Sequence, residues 1–274
     1  MKRSYLLNIL NLGILFVVSM LIFASSFDGE AKAEAPVNSG KNRISTNVSE
    51  THPQGTEGDT NTFYGHWAGY TMIYLTIPDP GPGKSNTFIG SQAGYSNTSA
   101  WANTFVGRNA GYRTTGEESG GNTFVGYYAG YDNQTGSENT YVGSHAGEKS
   151  TGSSNSFFGS NAGYSNTTKD FNSFFGCEAG YMNTEGYDNS FFGCDAGRGN
   201  KSGWDNCCFG YRAGFNTVDG YGNCFFGSSA GGTNDNASRN SFFGYNAGGH
   251  SEGSRNVFWV TEQVSMRKDL TNST

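Results

Sequence analysis

A parallel β-solenoid, one chain wound into short stacked coils, is the fold class the sequence predicts, and three observations predict it. The first is a repeat. The phrase N-[T/S/C]-[F/Y/C]-[aromatic or β-branched]-G-x-x-A-G begins at Asn61, Asn86, Asn103, Asn122, Asn139, Asn155, Asn172, Asn189, Asn206, Asn223 and Asn240, eleven copies in all. The steps between copies are 25, 17, 19, 17, 16, 17, 17, 17, 17 and 17 residues. A fixed period of this size marks a chain built from stacked units. The second is composition: Gly is 42 of 274 residues, about twice the usual share, and Leu is scarce after the first segment. Gly and Asn are poor helix formers, so a helical core is disfavoured. The 21 Phe and 16 Tyr argue equally against a disordered chain, which would be poor in aromatics. The third is proline, which falls only at 36, 53, 78, 80 and 82. Its absence from Lys84 onward suits a body in which backbone N–H groups donate to ladders.

The elements follow in chain order. Lys2 and Arg3 precede the apolar run Leu12 to Ala24, and Ala31-Lys32-Ala33 has the small-x-small form of a signal-peptidase site. Residues 1–33 therefore read as an export signal, which places the chain outside the cytoplasm: extracellular, at the cell surface or periplasmic. No membrane span is expected beyond that segment. Residues 34–60, rich in Ser, Thr, Asn and Glu, read as a disordered leader. The repeat body covers residues 61–260, with an insertion loop over 71–85 that holds Pro78, Pro80 and Pro82. Asn256-Val257-Phe258-Trp259-Val260 is a degenerate twelfth copy, and 261–274 is a short tail.

Within each copy the residues after the Asn, such as Ser173-Phe174-Phe175, read as a short strand. The segment around the Ala-Gly pair, such as Ala179-Gly180-Tyr181-Met182-Asn183, reads as a second one, with Gly-rich corners between. Equivalent strands of successive coils would pair in parallel about 4.8 Å apart, giving a rod of roughly 50 Å. Alternation sends the two apolar residues of the strand to opposite faces. One row runs Phe63, Phe88, Phe105 and onward, the other Tyr64, Ile89, Val106 and, from Phe158, all Phe as far as Phe243. One row can fill the coil. The other would form an outer stripe larger than soluble monomers tolerate, unless both meet across a flattened core. Identical chains about one axis bury identical stripes, so a parallel homotrimer is expected.

The phrase Asn122-Thr123-Phe124-Val125-Gly126 with Ala129-Gly130 resembles the repeats of trimeric tail-fibre-like proteins and their bacterial surface relatives. It is more distantly similar to the β-roll heads of trimeric autotransporter adhesins. The resemblance covers residues 61 to about 250 and implies an elongated trimer for display or attachment; the residues themselves lead us to expect no catalytic activity. Such fibres often end in a self-cleaving chaperone domain, and such adhesins in a coiled-coil stalk and membrane barrel. Thr261 to Thr274 match neither.

Candidate sites are few. A net charge of −6 without a Lys/Arg cluster gives no footprint for nucleic acid. Tyr70, Tyr95, Tyr112, Tyr131, Tyr164 and Tyr181 occupy one repeat position and form a candidate binding row for a glycan or an extracellular protein receptor. The Thr and Ser that follow each Asn form a hydroxyl row, a second candidate face for a glycan or an ice-like surface. Cys177 and Cys194 lie 17 apart, as do Cys207 and Cys224, so each pair should stack on adjacent coils within disulfide reach. Cys208 replaces an inner ring. No metal or cofactor is expected: there is no C-x-x-C, and His52, His66, His145 and His250 are far apart in sequence. Gly81-Pro82-Gly83-Lys84-Ser85 lacks the first Gly of a phosphate loop, whose place Pro78 takes. No Ser/His/Asp arrangement stands out, and uniform coils leave little room for the carboxylate groove of a polysaccharide-cleaving enzyme.

Overall fold

The structure, a computed structural model, describes residues 61–71, 83–116, 118–233, 235–249 and 253–259. The segments expected to be the export signal and the leader, most of the insertion loop and the tail lie outside the described residues.

The described chain is a parallel β-solenoid whose strands form one sheet in strict sequence order. The strands are β1 (Thr62–Tyr64), β2 (Thr87–Ile89), β3 (Thr104–Val106), β4 (Thr123–Val125), β5 (Thr140–Val142), β6 (Ser156–Phe158), β7 (Ser173–Phe175), β8 (Ser190–Phe192), β9 (Cys207–Phe209), β10 (Cys224–Phe226), β11 (Ser241–Phe243) and β12 (Val257–Trp259). Every pair is parallel and in register, so Ser173 stands over Ser190, Phe174 over Phe191 and Phe175 over Phe192. The degenerate twelfth copy supplies β12, paired with β11 through Phe242 and Phe258.

The first apolar row faces inward. Phe88, Phe105, Phe124, Tyr141, Phe157, Phe174 and Phe225 are fully buried, with the repeat alanines Ala93 to Ala230 beside them. Their rings stack along the rod: Phe157 and Phe174 are 4.8 Å apart between centroids and 7° from parallel. The outer row is not folded into a flattened core. It lies on the opposite face of the sheet, half-buried.

Each letter of the repeat has a physical cause. The first Gly sits where rungs approach most closely: a Cβ on Gly176 (φ +143) would lie 2.3 Å from Gly193 O. The second Gly lies against the inner ring of its own coil, where a Cβ on Gly180 (φ +60) would meet Phe174 Cε2 at 2.4 Å. The Asn carries a buried amide ladder. Asn189 N–H donates to Asn172 Oδ1 at 3.2 Å, and Asn172 Nδ2 donates to Gly186 O at 3.0 Å. A second buried polar row, Asn166, Asn183 and Asn200, runs parallel to it, with Asn183 Nδ2 donating to Asn166 Oδ1 at 2.9 Å. The interior is thus ring, methyl and amide in separate columns, and most of the buried amides bond along their own column or to a corner carbonyl, Asn97 being an exception.

The expected second strand is absent. The chain around each Ala-Gly pair is a turn, because the residue before the Ala takes a left-handed conformation whatever its identity: Trp67 (φ 59), Tyr128 (φ 58), Glu178 (φ 56) and Arg212 (φ 56) among them. A left-handed residue two before a left-handed Gly cannot continue an extended strand. The turns still stack by backbone bonds, as in Gly180 N–H to Ala196 O at 3.0 Å.

Tyr141 is the one Tyr in the inner row, and its hydroxyl meets Ser150 Oγ at 2.8 Å. Ser150 stands where most coils carry the second-row Asn or Thr, which makes room for the phenol oxygen. Burial pushes the Tyr141 phenol well above its ordinary value of 10.0. A folded-state value raised above the unfolded one means stability that is complete below pH 10.0 and falls as pH rises beyond it. Buried Cys208, raised above 9.0 by desolvation, acts with the same sign from a lower onset. Alkaline unfolding of Tyr141→Phe should therefore lose part of the wild-type pH dependence above pH 10.0, while its stability at pH 7 falls by about 1 kcal/mol for the lost hydrogen bond. Denaturant titrations at stepped pH check both. Parallel pH profiles for the two proteins would remove Tyr141 as a cause.

Candidate functional site

With the interior filled, function falls to the outer faces of the coil. On the sheet face the outer row becomes aromatic from β6 onward. Phe158, Phe175, Phe192 and Phe209 follow one another at 4.6 Å between centroids. Phe226 follows at 4.8 Å, Phe243 at 5.4 Å, and Trp259 closes the run at 4.5 Å. Ahead of β6 the same row is Tyr64 followed by the narrower, aliphatic Ile89, Val106, Val125 and Val142. Beside it on the same face lies the hydroxyl row, Thr in β1 to β5 and Ser in β6 to β8 and β11. The aromatic stretch from β6 to β11 is therefore bordered by small side chains, Ser or, at Cys207 and Cys224, a thiol.

The six candidate tyrosines do form a row. Tyr70 and Tyr95 stack at 5.0 Å, Tyr95 and Tyr112 at 4.9 Å, Tyr112 and Tyr131 at 5.0 Å, and Tyr164 and Tyr181 at 5.2 Å. Glu148 takes the place between Tyr131 and Tyr164 and splits the row into four and two. The rings face one another along the rod, so the sides turned outward are edges and hydroxyls. Cations stand near several ring faces: Arg113 is 5.5 Å from the Tyr131 centroid, Lys149 4.8 Å from Tyr164 and Arg198 5.2 Å from Tyr181. His145, on the coil that lacks the tyrosine, pairs with Glu148 and lies over Tyr128. A third aromatic column, not anticipated from the sequence, stacks Tyr187, Trp204 and Tyr221 at 5.8 and 4.6 Å on a corner of the coil. Its signal was an aromatic residue two before the repeat Asn in three consecutive copies.

All five cysteines are free thiols. Cys207 and Cys224 do stand level on adjacent strands, and Cys177 and Cys194 are exposed neighbours in contact through their thiols. Neither pair is bonded as the spacing suggested. In-register parallel rungs hold equivalent Cβ atoms at the rung spacing, about 4.8 Å, whereas a disulfide wants them near 3.8 Å. Cys208 lies buried in the ring column.

Among the described residues no three His, Cys, Asp or Glu side chains converge as metal ligands. None of the helices there is long and apolar enough to cross a membrane. No family model matches the chain, and no curated protein or solved structure shows significant similarity to it.

Proposed function

We propose that this chain is an exported structural rod, a fibre segment for display or attachment at a surface, with no catalysis of its own, and that identical copies associate laterally into a parallel homotrimer. One observation carries the reading: a continuous aromatic stripe runs along the outer face of the sheet from Phe158 to Trp259, half-buried as far as Phe243 and exposed at Trp259, bordered by small Ser or Cys side chains from β6 to β11. Copies set parallel about a threefold axis would bring the same rungs level, so that ring meets ring along the whole stretch. The resemblance of the repeat to tail-fibre-like proteins and adhesin heads points the same way.

The alternative is a face that binds a glycan or an ice-like surface. It has less support, because sugars stack on ring faces and the tyrosine faces are taken by neighbouring rings and cations. The hydroxyl row, for its part, is uniform Thr only over β1 to β5.

Light scattering on the purified chain tests the proposal. The expected mass is three times that of one chain. Phe175→Ser with Phe209→Ser should reduce it to one chain, with circular dichroism unchanged because both side chains point away from the core. A wild-type mass of one chain, or a double variant that keeps the higher mass, would sink the trimer.

A further inference from the structure

We infer that the two ends of the rod are complementary and that copies of this chain join end to end, β12 of one copy against β1 of the next. This concerns different groups from the lateral stripe and does not depend on it.

The bonding between rungs has a fixed polarity. The residue after each Asn donates toward the following rung, as Thr62 N–H does to Asn86 O at 2.7 Å and Ser241 N–H to Asn256 O at 2.9 Å. The first Gly of each copy donates backward, as Gly90 N–H does to Tyr64 O at 2.7 Å. The Asn backbone also donates backward, as Asn256 N–H does to Asn240 Oδ1 at 2.8 Å. Continued past the last rung, these offsets direct Val257 N–H, Trp259 O and Asn256 Oδ1 outward from the β12 edge. At the opposite end they direct Asn61 O, Gly65 N–H and Asn61 N–H outward from β1. Each group at one end is the partner of the corresponding group at the other.

The side-chain columns match as well. The next inner ring after Phe258 would be Phe63, and the next outer ring after Trp259 would be Tyr64. β12 is open enough to accept them: Val257, Phe258 and Trp259 are 63%, 43% and 71% exposed, against 0% for Phe242 one rung inward. An unpaired, aromatic strand edge is a template for further pairing. Because the two edges differ, the contact is head-to-tail and does not close, so it generates a linear filament. A second copy fits better than an unrelated strand, because only this repeat brings the Asn N–H, the Gly N–H and both rings in one register.

Electron microscopy and sedimentation of the full chain over a wide range of concentration test the inference. The expected result is rods in whole multiples of one chain's length, with the mean length rising with concentration. Val257→Pro with Trp259→Lys removes the outward N–H and adds a charge to the edge, while leaving the Asn256 bonds to β11. It should weaken end-to-end association about tenfold or more. Two results would overturn the proposal: rods of a single chain's length at every concentration, as when residues 260–274 fold over β12, or a double variant that elongates like the wild type. The lateral proposal is read separately, as mass per unit length. Threefold mass without elongation defeats only this inference, and elongation at single-chain mass per length defeats only the trimer.

Discussion

Gly176→Ala is expected to destabilise the rod by about 3 kcal/mol or more, although it adds one methyl group. Two costs combine. The backbone there has φ +143, which an L side chain rarely adopts, and the new Cβ would stand 2.3 Å from Gly193 O and 2.5 Å from its carbonyl carbon. That neighbour is backbone, held in the ladder, so rungs β7 and β8 must separate and give up bonds such as Gly193 N–H to Phe175 O at 2.8 Å. Gly222 supplies the control. It too is left-handed, at φ +63, but its Cβ would meet only the flexible Arg239 side chain at 3.6 Å. Other coils carry Asp188 (φ 55) and Asp205 (φ 55) at the equivalent place. Gly222→Asn should cost no more than about 1 kcal/mol. Urea titrations followed by tyrosine and tryptophan fluorescence compare the two. Equal losses would mean that backbone conformation, and not the closeness of the rungs, explains the first Gly.

Asn172→Ala is expected to cost about as much, for a different reason. Its amide serves several partners at once: Oδ1 accepts from the Asn189 backbone at 3.2 Å and from Asn189 Nδ2 at 3.2 Å, and Nδ2 donates to Gly186 O at 3.0 Å, Asp170 O at 3.2 Å and Asn166 Oδ1 at 3.3 Å. Alanine leaves the buried Asn189 N–H without its acceptor, at a cost of about 1–3 kcal/mol, and strips the column of the other amide bonds, although Gly186 O keeps Asn183 Nδ2 at 2.8 Å. Position should matter too. In a stack where each unit touches only its neighbours, a break between β7 and β8 divides the rod, whereas the same change at the terminal Asn256 removes one rung. Hydrogen exchange would show Asn172→Ala lowering protection on both sides of the break, and Asn256→Ala only near β12. A uniform loss across the chain in both variants would contradict this one-dimensional view.

The sequence makes the coil readable because the steric demands repeat. The closely approached Gly176, the Gly180 beneath Phe174 and the inner ring itself admit so few residue types that the phrase survives eleven times. The second strand was misread because little in the letters marks the left-handed residue before each Ala. Trp67, Gln92, Tyr128, His145, Glu178 and Arg212 all occupy it, at φ between 56 and 61. Asn109, Asn161 and Asn246, which tolerate that conformation, hold it in three copies, but the variety in the other copies hid the hint. The cysteine pairs were legible as neighbours by their spacing of 17. The parallel rungs that make them neighbours also hold equivalent Cβ atoms near the rung spacing, about 4.8 Å, wider than a disulfide prefers. The tyrosine row was likewise visible as a row, but the direction its ring faces turn is a property of the stack.

The amide column joins each coil to the next by the same bonds: Asn172 N–H to Asn155 Oδ1, Asn189 N–H to Asn172 Oδ1, Asn206 N–H to Asn189 Oδ1. Coils are therefore interchangeable along this stretch. The reach of the molecule becomes a matter of copy number, like notches on a tally stick. Gaining or losing one seventeen-residue unit by recombination would move whatever is carried at the ends by a single strand spacing, about 4.8 Å, while each remaining coil keeps the kind of neighbour it had.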